Sequence, residues 1–101
     1  MQYQQGDVLM ETVKSIPKEC EEAQDRGILA YGEVTGHKHR LDDTNIKTYK
    51  DSGGNIYFKV EDAVKLKHEE HNTITVAPGI YKSWILREKD WLNGMVRKVV
   101  D

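Results

Sequence analysis

The sequence predicts an all-β fold: a small single-domain β-barrel or jelly-roll-like sandwich over residues 1–101, with at most one or two short helical turns. Three observations carry this. About seven short runs rich in β-branched and aromatic residues are broken by Gly, Pro and Asn. Several of those runs alternate apolar and polar residues, as a half-buried strand must. No segment sustains the 3.6-residue period of an amphipathic helix.

Taken in order, Asp7-Val-Leu-Met-Glu-Thr-Val13 reads as a first strand that stops before Ile16-Pro17. Pro17 to Asp25 is polar, with Pro at its start and Gly27 beyond its end, which predicts one or two helical turns. From Gly27 to Leu41 a period of two puts Leu29, Tyr31, Glu33, Thr35, His37, His39 and Leu41 on one face of a regular strand. Ile46–Lys50 and Asn55–Val60 flank the turn formers Asp51-Ser-Gly-Gly54, a predicted hairpin whose Ile56, Phe58 and Val60 face the core. Val64, Leu66 and His68 alternate with Lys65, Lys67 and Glu69, again ending an apolar face on histidine. Thr73–Val76 and Ile80–Glu88 are two more strands about the Ala77-Pro-Gly79 turn, and Met95–Val100 follows Asn93-Gly94 as a last one, with Lys89–Leu92 open to a helical reading.

With 38% hydrophobic and 32% charged residues, the chain can build a modest core and is too mixed in charge to stay disordered. Its net charge of −2 disfavours salt-driven binding of duplex nucleic acid. Cys20 is the single cysteine, so no intrachain disulfide forms and a reducing cytoplasm fits; it has no neighbouring histidine that would mark a catalytic thiol. The first residues lack a basic, then apolar, signal pattern, and no stretch has the length of a membrane span, so neither export nor embedding is expected.

All four histidines fall in two clusters, His37/His39 and His68/His71. Residues two apart on a strand project from one face, so His37 and His39 can offer two imidazoles to one metal ion. His68 ends another apolar face, and His71 follows at a spacing that suits a turn. These residues are the candidate ligands for a divalent ion, Zn, Mn, Fe or Ni, with an open position where water becomes a nucleophile. Glu33, Glu69 or Glu70 would then be general base or orient a ligand, making the chain a metal-assisted hydrolase of a small or phosphorylated, nucleotide-like substrate. Other readings stay open. Two histidines without metal can cleave a phosphodiester while Lys38, Arg40 or Arg87 neutralises the phosphate. A non-catalytic binder would hold an anionic ligand on Lys38, Arg40 and Arg87, with Trp84 against its ring. A closed metal site would serve stability alone, and a homo-oligomer fits each reading.

The run Gly32-Glu-Val-Thr-Gly-His-Lys-His-Arg40, with His68-Glu-Glu-His71, Pro78-Gly-Ile-Tyr81 and Arg87-Glu88, resembles a family of small uncharacterised all-β proteins of bacteria and their phages. More loosely, His37-Lys-His39 after Gly32 is similar to the metal motif of the cupins. Asp43 stands where their acidic ligand would follow, and His68 precedes the Pro-Gly turn instead of following it. That resemblance implies a β-barrel with His37, His39 and His68 on a metal.

Overall fold

The computed structural model describes residues 1–31 and 36–86. Among them are ten strands: β1 (Gln2–Gln5), β2 (Val8–Thr12), β3 (Glu21–Glu22), β4 (Ile28–Tyr31), β5 (Lys38–Leu41), β6 (Thr48–Lys50), β7 (Ile56–Val60), β8 (Val64–Lys67), β9 (Ile74–Val76) and β10 (Gly79–Ile85). They form two antiparallel sheets, one in the order β1-β2-β10-β7-β6-β3 and the other β4-β5-β8-β9. The fold is therefore all-β, as a small sandwich or barrel-like structure. The expected last strand at 95–100 and the helical reading of 89–92 lie outside the described residues.

The core fills the space between the sheets. Val8, Met10, Ile56, Phe58, Val60 and Tyr81 come from the first sheet, and Leu29, Ala30, Leu41, Val64, Leu66 and Val76 from the second. Phe58 stacks on Tyr81 with ring centres 5.5 Å apart. The Tyr81 hydroxyl donates to the Ala77 carbonyl at 2.6 Å, and burial pushes its pKa up to about 12.

Three segments depart from the sequence expectation. The chain begins with a hairpin, because Gln5 pairs with Val8 across Gly6-Asp7. Gly6 takes φ +57° at the first turn position, which suits glycine because it has no Cβ to clash. Residues 17–25 are not helical. A turn bonds the Cys20 amide to the Pro17 carbonyl, and β3 then pairs with β6, setting Glu21 opposite Lys50. This segment has no apolar stripe to bury, so edge pairing with an opposite charge is the better use of its backbone.

Gly27 to Leu41, expected as one strand, holds two antiparallel strands, β4 and β5. Ile28 pairs with Arg40, Ala30 with His39 and Tyr31 with Lys38. The register advances two residues on β4 for one on β5, a bulge that buries the consecutive Leu29 and Ala30.

The 46–60 hairpin forms as expected, and one carboxylate organises its turn. Asp51 accepts the amides of Gly53 and Asn55 and the side-chain amide of Asn55, each at 2.9 Å. The Asn55 side chain, then the backbone amides, hold its carboxyl below the usual range. A depressed folded pKa contributes stability that is present above the unfolded value and lost as pH falls through the folded one. Asp51→Asn is thus expected to be less stable than wild type at neutral pH, with the gap closing as pH falls below the ordinary carboxylate range. Urea midpoints across that range check this; a gap of constant size would assign the effect to something other than ionisation.

Candidate metal centre

His39 sits on β5 opposite Ala30 and is 3% exposed. His68 lies one residue past β8, continuing the inward face of Val64 and Leu66, and His71 follows a bend over residues 69–71. The bend folds His71 back, so that ring centres are 4.2 Å apart for His39–His68, 4.7 Å for His68–His71 and 5.7 Å for His39–His71. One donor nitrogen from each of these three lies within 4.8 Å of the other two. Donors on a tetrahedral Zn²⁺ stand roughly 3.3 Å apart, given Zn–N bonds near 2.0–2.1 Å, so side-chain rotations of about 1 Å close the set.

The protonation pattern of His39 follows from its neighbour Gln5, a fully buried residue of β1. The Gln5 amide nitrogen donates to the carbonyls of Leu66 and Asn72, both at 2.9 Å. Those bonds fix which end of the amide is oxygen, and Oε1 meets His39 Nδ1 at 2.9 Å. Nδ1 must therefore carry the proton, and in the neutral ring Nε2 holds the lone pair. A hydrogen-bonded partner behind the ligating ring is the arrangement that orients metal-bound histidines. Asp7 Oδ1 stands 3.7 Å from Nε2, within reach of an ion or its water.

Gly6 makes room for the third imidazole. A Cβ there would lie 2.6 Å from His71 Nε2, so the turn glycine is required both by its positive φ and by this approach. His68 is the adjustable member. Its Nδ1 accepts the Glu70 amide at 3.0 Å, a contact on the exposed bend.

A cavity of about 370 Å³ opens on the cluster, lined by all four histidines, Asp7 and Glu70, with Tyr31 and Ile85 as its apolar rim. Tyr31 is held by a 2.7 Å bond from its hydroxyl to Asp25. His37 precedes β5, with Nδ1 3.5 Å from Glu70 Oε1. It belongs to a second donor set, with His68 and Glu69.

Of the remaining described sequence candidates, only Glu69 belongs to a donor set. Glu69 accepts the Lys38 amide at 2.8 Å, which holds its carboxyl below the usual range. Arg40 alternates with His39, is exposed and lies opposite Lys67; Asp42 sits between the two, 3.0 Å from Lys67 Nζ and 4.0 Å from Arg40 Nη1. Trp84 lines an adjoining 210 Å³ cavity, which shares Ala30, Tyr31 and Ile85 with the histidine one, and Lys82 Nζ lies 5.7 Å from its ring centre. Glu33 and Arg87 fall outside the described residues. Gln5, Gly6 and Asp7 entered no sequence argument about the site. Gly6-Asp7 ahead of Val8-Leu-Met10 was the available turn signal.

No helix among the described residues is long and apolar enough to cross a membrane. A family model for a domain of unknown function matches residues 4–86, which include all four histidines and Gln5. No curated protein and no solved structure matches the chain.

Proposed function

The chain belongs to the DUF8820 family, a domain of unknown function, and on that footing we propose that it binds one divalent transition ion through His39, His68 and His71. The observation that carries this reading is the buried Gln5 amide. It spends both donors on Leu66 and Asn72 and so holds His39 as the tautomer with a lone pair on Nε2. Three imidazoles suit Zn²⁺, Ni²⁺ or Fe²⁺ better than Mg²⁺ or Ca²⁺, which take oxygen ligands.

An ion held by these three imidazoles would leave a position facing the cavity, where it would acidify a bound water towards neutral pH. Asp7 and Glu70 stand at the cavity wall to take its proton. Metal-assisted hydrolysis of a small substrate is the reaction class this supports. The cavity lining among the described residues holds two carboxylates and no Lys or Arg, so an uncharged or cationic substrate is favoured over a phosphorylated one.

Elemental analysis of protein purified without a histidine tag, equilibrated with Zn²⁺ and desalted, is expected to find about one ion per chain, the stoichiometry of a single donor set. His39→Ala should lose it while keeping the β spectrum in circular dichroism. A wild type that retains no ion and gains no melting temperature on Zn²⁺ addition overturns the reading. A panel of uncharged chromogenic esters then tests hydrolysis, with the desalted His39→Ala protein as background.

A further inference from the structure

The two donor sets share His68 and differ in depth. His39, at the bottom of the inner set, is 3% exposed, whereas the outer set offers His37, with a 24% exposed side chain, and the exposed Glu69. In the outer set too, one donor atom from each of His37, His68 and Glu69 lies within 4.8 Å of the others. A neutral imidazole has a single lone pair, so His68 cannot serve two ions at once, and the positions are alternatives.

Their chemistry differs in a way that suits an order of use. The outer set contains a carboxylate, and Glu70 Oε1 beside His37 adds a second negative group. Exposed oxygen donors attract a hydrated cation at range and exchange its waters readily. The inner set is all nitrogen, with His39 buried and His68 and His71 half-buried, which favours a transition ion at equilibrium. His68 lies between them, its ring centre 5.8 Å from that of His37 and 4.2 Å from that of His39.

We infer that His37, Glu69 and His68 form a loading position, which captures a hydrated divalent ion and passes it inward when His68 turns from His37 to His39 and His71. This rests on the inner set being a metal site. Gly36, directly before His37, takes φ +87° with open space where a Cβ would stand.

Stopped-flow uptake of Co²⁺, followed by its d–d absorption, tests the inference. The wild type should saturate at about one ion per chain, because the shared imidazole excludes a second. His37→Ala/Glu69→Gln alters two solvent-facing residues and keeps an acceptor for the Lys38 amide. It should slow association by about tenfold or more, the scale of lost electrostatic capture, while the equilibrium affinity stays within about threefold. Glu61→Gln, which removes an exposed charge elsewhere, should leave the rate unchanged. Uptake at the wild-type rate in the double variant, or two ions per wild-type chain, overturns the loading position and leaves the inner site standing. A wild type that takes up no Co²⁺ removes both readings.

Discussion

Gln5→Leu, measured in chelator, is expected to lower the unfolding free energy by about 2–4 kcal/mol, because the Leu66 and Asn72 carbonyls and the His39 Nδ1–H all lose the partner they have in the wild type. The same change should weaken Zn²⁺ binding by about 10–100-fold, the usual cost of removing a group that orients a ligating histidine. Urea unfolding gives the first quantity and a competitive chelator titration of the folded protein gives the second. Gln5→Glu is the informative companion. Its carboxylate can still accept from His39 but has no donor for either carbonyl, so it should keep part of the metal affinity and none of the lost stability. A Gln5→Leu protein that is destabilised yet binds Zn²⁺ at wild-type strength would make Gln5 a strut between the sheets and nothing more.

Phe58→Ala should produce the opposite pattern. Phe58 has no exposed surface, pairs with Tyr81 across β7 and β10, and stacks on its ring. Truncation leaves a cavity in the centre of the core and is expected to cost about 3–5 kcal/mol, a large part of the 5–15 kcal/mol that holds a typical domain together. Phe58 does not line the histidine cavity, so the fraction that remains folded should bind Zn²⁺ as the wild type does. Phe58→Leu, which keeps much of the volume, should lose under about 1.5 kcal/mol. A drop in metal affinity with Phe58→Ala, measured well below its melting temperature, would show that the site borrows its geometry from the whole core.

The fold was legible wherever burial and alternation coincide. The 46–60 hairpin, the Val64–Leu66 face and the strands about Pro78-Gly79 follow from inward apolar residues separated by turn formers. β1 was not legible, because its two buried residues, Gln4 and Gln5, are both glutamines. A reading by hydrophobic periodicity assigns Gln5 to solvent, and only its bonds to distant carbonyls make burial tolerable. The 27–41 segment misled for a different reason. Leu29, His39 and Leu41 do turn inward, but from two antiparallel strands, and β5 begins only at Lys38, so His37 lies just ahead of the strand that carries His39.

At the site, clustering in the sequence brought the four histidines to attention without predicting their grouping. The spacing of three in His68-Glu-Glu-His71 favours His68 on a strand face, yet the bend brings His71 back towards His39 as well. Its support, the vacancy over Gly6, depends on a turn 65 residues upstream in a different sheet, a relation that local pattern cannot carry.

β1 is the outermost strand of its sheet, and outermost strands open at the least cost in free energy. When this one opens, Gln5 leaves His39 and Gly6 leaves His71 in the same movement. Two of the three imidazoles then lose their supports together, so the dwell time of a bound ion and the amide exchange of residues 2–5 run on one clock.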